Sequence, residues 1–182
     1  SVENLTAAAD VLRESLRKAH FEPKADSDTP EIVMYSRRRG ETDYLFAIND
    51  HRTFGEYFGQ WGRTMEKGLP VSGTVSLKDP NREVRAVYEL SRGGSVKFDR
   101  DGNRVKVKLD YETNDGRFLV FLKRPIASLK VACSASVEPG GVVKAGLRVL
   151  DSAGEIVPAL LPVEIRLYDA AGKEIDGAGF LA

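Results

Sequence analysis

RVKVKLDYETNDGRFLVFL, residues 104–122, is the stretch on which the fold turns. Its first half alternates strictly: Val105, Val107, Leu109 and Tyr111 point one way, and Arg104, Lys106, Lys108 and Asp110 the other. That period of two is the mark of an antiparallel strand with one buried and one wet face. Asn114-Asp115-Gly116 then makes a turn, and Phe118 to Leu122 is a continuous apolar strand. Outward from this stretch, Ile32-Val33-Met34-Tyr35 and Tyr44-Leu45-Phe46-Ala47-Ile48 read as a hairpin, with Arg37-Arg38-Arg39-Gly40-Glu41 as its turn. VSGTVSLK (71–78) and VRAVYEL (84–90) are further strands. Asp99-Arg100-Asp101-Gly102-Asn103 has the look of a calcium loop, but its glycine comes too early and Asp110 stands where the bidentate glutamate belongs. Asp101-Gly102 as a type I′ hairpin pair explains it better. The interval from Glu31 to Arg124 thus holds about six or seven short strands separated by turn signals, which predicts an antiparallel β-sandwich and a mostly β chain.

The flanks differ in character. Residues 2–19 carry Leu5, Ala8, Ala9, Leu12, Leu16 and Ala19 at three- and four-residue spacing, an apolar stripe on an N-terminal helix that has to be buried against something. Pro23 forbids its continuation, and EPKADSDTP (22–30) is a linker or an extended crossing segment. After Pro125 basic residues thin out: 31–125 hold 18 Lys+Arg against 14 Asp+Glu, whereas 126–182 hold 5 against 7. Strands are expected at 127–136, 142–150 and 161–169. Val149-Leu150-Asp151-Ser152-Ala153-Gly154-Glu155 is echoed by Leu167-Tyr168-Asp169-Ala170-Ala171-Gly172-Lys173, two hairpin turns opened by Asp with Gly at the left-handed position. These predict a second, immunoglobulin-like β module, short for a complete one. The division expected is a helix and linker over 1–30, a β-sandwich over 31–125 and an immunoglobulin-like module over 126–182. Cys133, in an alternating strand with Leu129, Val131 and Ala135, is expected to be a buried thiol. The chain starts at Ser1 without Met and stops at Gly179-Phe180-Leu181-Ala182, read as a segment of a longer protein; the alternative is a mature terminus that docks Phe180 and Leu181 into the core.

Composition excludes several classes. With 27 Lys+Arg against 27 Asp+Glu and 42% hydrophobic residues, the chain is globular, and it lacks the basic footprint of a nucleic-acid binder. No apolar run spans a bilayer, and a single cysteine permits neither an intrachain disulfide nor a cysteine zinc cluster. No cofactor or metal site is expected, and the compartment is left open.

The most unusual segment is NDHRTFGEYFGQWGRTMEKGLPVSG (49–73), a long connection between two strands. Phe54, Tyr57, Phe58 and Trp61 are spaced by glycines and lie near Asp50, His51 and Arg52. Aromatic faces stack on the C–H faces of a pyranose while polar neighbours bind its hydroxyls, so Asp50, His51, Arg52, Phe54, Tyr57 and Trp61 form a candidate carbohydrate-binding set. The alternative is that these aromatics pack against the helix or a neighbouring domain. Asp50-His51-Arg52 invites an acid–base role, but no nucleophile motif accompanies it and polar loop residues explain it as well. No pair of carboxylates stands out for glycoside cleavage. Arg37-Arg38-Arg39 is expected as a solvated turn or an interdomain salt bridge.

The helix, the linker and then IVMYSRRRGETDYLFAIND together resemble the region after the barrel of large bacterial glycoside hydrolases of the β-galactosidase type. In that family a flavodoxin-like domain ends in a helix and a β-sandwich follows, opening with a strand, an Arg-rich turn with Gly and a Tyr-Leu-Phe strand ending in Asn; here those are Val33 to Gly40 and Tyr44 to Asn49. Residues 126–182 resemble the start of an appended bacterial immunoglobulin-like domain. The resemblance implies a non-catalytic accessory region whose partner is the catalytic domain of the parent chain. The family's catalytic carboxylates lie on the barrel, so none is assigned here. The long 49–73 connection departs from the family's pattern. Two further readings stand beside this one: a carbohydrate-binding module that takes an oligosaccharide on the 54–61 aromatics, and a surface or adhesion protein with tandem immunoglobulin-like domains.

Overall fold

A computed structural model describes residues 2–58, 63–134, 136–138, 140–175 and 180–181. Helix α1 (Val2–Lys18) comes first. The strands are β1 (Ala25–Ser27), β2 (Ile32–Arg39), β3 (Thr42–Asn49), β4 (Arg52–Phe58), β5 (Arg63–Gly68), β6 (Val71–Lys78), β7 (Ala86–Glu89), β8 (Ser95–Val96), β9 (Asp99–Asp101), β10 (Arg104–Tyr111), β11 (Gly116–Leu122), β12 (Ser128–Cys133), β13 (Ala145–Leu150), β14 (Glu164–Ile165) and β15 (Phe180–Leu181). The chain is mostly β and its strand pairs are antiparallel.

Two sheets make the sandwich, one in the order β1-β6-β10-β9 and the other β2-β3-β11-β7-β8. Strand β10 shows how the sequence drives the packing. Val105, Val107, Leu109 and Tyr111 are all buried, while their alternates line the wet face. They meet Ile32, Leu45, Ala47, Val87, Leu119 and Phe121 from the opposite sheet in one continuous core. Asn114, at φ +56, turns the chain after β10, but β11 does not pair with β10; it crosses to the other sheet between β3 and β7. The Asn-Asp-Gly signal therefore marks an arch between layers.

Two-residue loops close the β2–β3 and β9–β10 hairpins, as the pairings Arg39↔Thr42 and Arg104↔Asp101 require. Each loop opens with a left-handed glycine, Gly40 or Gly102, both at φ +57. Only the first loop residue has positive φ, which is the type II′ pattern, so Asp101-Gly102 is not a type I′ pair. Arg37, Arg38 and Arg39 correspondingly lie at the end of β2 and not in the turn. Segment 22–30, read as a linker or crossing segment, contributes β1, whose residues Ala25–Ser27 pair with Leu77–Val75 of β6.

Strand β11 is covered on both sides. Leu119 and Phe121 enter the sandwich core, while Val120 and Leu122 join Tyr44 and Val157 in a second buried cluster. That cluster is roofed by the chain beyond Pro125, with Ile126, Val149, Ala159 and Leu161 packed against it. Polar contacts tie the roof down. Arg124 reaches Asp151 at 2.9 Å and the Ile156 carbonyl at 3.0 Å, and the Thr42 hydroxyl donates to the Pro158 carbonyl at 2.8 Å.

Farther along, the structure departs from the expected pattern. Strands β12 and β13 pair only with each other, and every residue of β12 is exposed. Cys133 is therefore an exposed thiol, not a buried one, because among the described residues nothing buries either face of its strand; Ala135 lies outside the described residues. In the expected 161–169 strand only Glu164–Ile165 is a strand. The two Asp-opened turns do repeat atom for atom. Asp151 Oδ1 accepts the amides of Ala153 and Glu155, both at 2.9 Å, and Asp169 Oδ1 accepts those of Ala171 and Lys173 at 2.9 and 2.8 Å. Gly154 and Gly172 take the left-handed position at φ +80 and +78.

Helix α1 ends before Pro23. His20 turns left-handed at φ +53, and the Phe21 amide returns to the Leu16 carbonyl at 2.9 Å, a Schellman closure with histidine where glycine is usual. Among the described side chains of its stripe, Ala8, Leu12, Leu16 and Ala19 are exposed, and so is the neighbouring Val11.

Asp79, at the end of β6, knits the loop before β7. It accepts the amides of Glu83 and Val84 at 3.0 and 3.1 Å and pairs with Arg100 at 2.9 Å. Burial pushes its carboxyl up, but the Arg100 hydrogen bond and the two amides outweigh burial and hold it below the ordinary 3.8. The folded carboxyl thus binds its proton less tightly than the unfolded one, so its stabilisation is full above 3.8 and is lost as pH falls through the folded value. Denaturant titrations across the acid range should show Asp79→Asn less stable at neutral pH and with a shallower loss of stability on acidification than the parent protein.

Candidate functional site

The connection over 49–73 is not a loop. Strands β4 and β5 pair as a separate two-stranded ribbon, with a bulge where Gly55 and Glu56 face Met65 between the pairs Phe54↔Glu66 and Tyr57↔Thr64. Asn49 clamps the ribbon's base: its Nδ2 donates to the carbonyls of Leu69 at 2.7 Å and Glu112 at 2.8 Å, and its Oδ1 accepts the His51 amide at 2.8 Å. This clamp is the local reason the sequence leaves the sandwich after β3 and returns at β6.

The predicted carbohydrate-binding residues are spread along this ribbon. Asp50 and Arg52 pair at 3.0 Å, and Arg52 also bonds Glu66, all on open surface. His51 Nδ1 lies 3.2 Å from the Pro70 carbonyl. Phe54 is 84% exposed. Tyr57 contributes its backbone to β4, but its side chain, with that of Phe58, and all of Trp61 lie outside the described residues. None of Asp50, His51, Arg52 and Phe54 lines the cleft on the outer face of the five-stranded sheet. Among the described residues, no group of three His, Cys, Asp or Glu stands where a metal would be held, and no helix is long and apolar enough to cross a membrane.

A broad concavity lies on the outer face of the five-stranded sheet. It is an open cleft of about 960 Å³ between β2–β3 and the roof segment. Phe46 and Phe118 stack at its floor with centroids 3.9 Å apart, and Tyr44 lies tilted beside Phe118 at 5.9 Å. Leu90, Leu161 and Pro162 form apolar walls, and Arg37 and Arg39 stand along one rim. The register explains the grouping. Tyr35, Phe46 and Phe118 lie side by side across β2, β3 and β11, and the neighbouring pair Val33↔Ile48 continues the row. Val33, Tyr35, Phe46 and Ile48 are all exposed, Tyr35 at 63%, so an apolar belt runs out of the cleft across β2 and β3.

The polar groups of the cleft are mostly spent. The Tyr44 hydroxyl accepts the Leu160 amide at 2.6 Å and lies 3.2 Å from the same residue's carbonyl. The Ser91 hydroxyl donates to Glu89 at 3.0 Å and accepts the Phe118 amide at 3.3 Å. Arg38 points to the other face of β2, 3.9 Å from Asp43, which also binds Lys24. Arg37 and Arg39 have no ion-pair partner among the described residues. What the cleft offers chemically is therefore two guanidinium groups beside stacked aromatic faces. Nothing in the alternation of single strands singled these residues out. The one available signal was Tyr44-Leu45-Phe46-Ala47-Ile48, apolar in both alternating sets and hence a strand with apolar residues on both faces.

A partly buried charged group lies beside Ser91 and Phe118, on β7, β11 and the turns next to them. Arg117 bonds Glu89 at 2.5 Å and the Asp110 carbonyl at 2.6 Å, and Arg92 pairs with Asp115 at 2.5 Å. The Arg117 guanidinium thus bridges β7, β10 and β11, with its Nε 3.4 Å from Asp115 and without a hydrogen bond. The Tyr111 hydroxyl is buried without a hydrogen-bond partner, and burial pushes its phenol well above the ordinary value.

The fold and this site define a class, an antiparallel β-sandwich with an apolar, arginine-rimmed outer face. No family model matches the sequence, and no curated protein matches it.

Tyr44→Phe removes the hydroxyl that anchors Leu160 and leaves that backbone amide unpaired. The expected cost is about 1–3 kcal/mol in chemical denaturation. Amide exchange at Leu160 should accelerate along with the global change, opening the roof over the cleft first.

Proposed function

We propose that residues 1–182 act as a non-catalytic accessory region of a carbohydrate-active enzyme of the glycoside hydrolase kind, packing against and supporting its catalytic domain. The observation that carries this reading is the uncovered belt of Val33, Tyr35, Phe46 and Ile48 on a sheet whose other outer rows are roofed. A contiguous exposed apolar surface of this sort marks a face that another surface covers. The exposed Val11, Leu12 and Leu16 of α1 add a second such face. The resemblance of the 32–50 segment to the post-barrel region of β-galactosidase-type enzymes supplies the kind of neighbour. Hydroxyl-radical footprinting checks the reading. Tyr35 and Phe46 should react freely in the 182-residue chain and become protected several-fold when it is produced in one polypeptide with a catalytic domain. A panel of chromogenic glycosides should show no turnover by residues 1–182 alone; hydrolysis would make the region an enzyme in its own right.

A second reading, an oligosaccharide-binding module, draws on Phe54, whose ring stands in solvent on the projecting ribbon. An exposed aromatic beside Asp50, Arg52 and Glu66 has the mixed apolar and polar character that a sugar face requires. Under this reading, Phe54→Ala and Trp61→Ala each abolish oligosaccharide-induced amide shifts in the ribbon without lowering the melting temperature. Absence of shifts with any glycan on an array rules it out.

A further inference from the structure

The arginine-rimmed cleft has a composition that selects its occupant. Its surface is largely apolar, the Tyr44 and Ser91 hydroxyls are committed to protein partners, and Arg37 and Arg39 are the charges left over. A sugar would find stacking faces there but few hydrogen-bonding groups, and burying hydroxyls without partners is costly. A chain segment that alternates carboxylates with large apolar side chains meets both needs. We propose that this cleft is a docking site for an acidic, apolar-bearing segment of a partner polypeptide, whose carboxylates pair with Arg37 and Arg39 while an apolar side chain packs on the Phe46–Phe118 pair. The proposal rests on the packing role given above and names the chemistry of the partner at one place on that surface.

Two observations and one general property of arginine converge on this occupant. Arg37 and Arg39 both face outward from β2, two residues apart, which matches the spacing of alternate side chains on an extended segment. The guanidinium plane is suited to paired recognition of carboxylates. The belt Tyr35–Val33–Ile48 continues from the cleft floor, so an apolar residue further along the same segment has a surface to cover.

The probes are three octapeptides: one alternating glutamate with leucine and tryptophan, its lysine counterpart, and a glutamate–serine version. A tetragalacturonate serves as an acidic sugar with no apolar side chains. Each is titrated into the 182-residue chain by fluorescence anisotropy and by amide chemical shifts. The glutamate–leucine–tryptophan peptide should bind, weaken as salt is raised, and shift amides at Phe46, Phe118 and Leu161. Neither the lysine nor the serine version should match it. Arg37→Glu with Arg39→Glu should weaken binding by roughly tenfold or more, the effect of reversing two charges at a docking rim. Arg37→Gln with Arg39→Gln is the milder second variant, and Phe46→Ser removes the apolar contact; an unchanged β-sheet amide spectrum certifies each. Equal binding of the lysine peptide, shifts confined to the ribbon, binding of the galacturonate in place of the peptide, or no binding of the acidic peptide would each overturn the proposal. Failure here is separable from failure of the packing role: protection of Tyr35 and Phe46 beside a catalytic domain, with no acidic-peptide binding, removes only this inference.

Discussion

Strand β11 is the element on which the rest of the molecule leans, because both of its faces are buried. Leu119 and Phe121 are in the sandwich core, and Val120 and Leu122 are under the roof. Each such side chain removed from water contributes about 1.5–3 kcal/mol. A strand that gains on both faces draws a layer to each, which is why Ile126, Val149, Val157, Ala159 and Leu161 pack back onto the sheet. The rows of the outer face that the roof does not reach are those that stay exposed, and the cleft forms at the boundary between the two.

The buried charges answer to the same strand. Arg117 sits buried just before the apolar run of β11, where an unpaired guanidinium would be very costly. Glu89 on β7 and the Asp110 carbonyl on β10 meet it at hydrogen-bond distance. The network spans both sheets, so it holds the arch after β10 in one arrangement. Asp79 does equivalent work at the other end of the sandwich, joining β6, the loop before β7 and Arg100 of β9. Asp151 and Asp169 do it locally, each organising a turn through backbone amides, and Asp151 also takes the Arg124 guanidinium.

Legibility in the sequence followed the range of the interaction. Strands β6 and β10 were readable residue for residue, because alternation and turn chemistry act within a few positions. The paired Asp-Gly turns were legible for the same reason. Cys133 was misplaced because alternation shows that a strand has two faces but not that anything covers one of them. The 49–73 segment read as a loop because its glycines and its bulge at Gly55–Glu56 interrupt the period of two. The cleft was invisible in single strands, since Phe46, Leu90, Phe118 and Leu161 come from four separate parts of the chain.

By itself, the sequence determined a mostly β, antiparallel chain with an amphipathic helix at its start, since side-chain periodicity and glycine-permitted turns are local properties of the backbone. Tertiary structure alone decided that β10 and β11 belong to different sheets, that Ile126, Val149, Val157, Ala159 and Leu161 roof part of an apolar face, and that two arginines and a pair of phenylalanines lie beside that roof. Those outcomes depend on which surfaces meet. Apolar burial has no direction of its own, so its partners are chosen only when the whole chain competes for the same contacts.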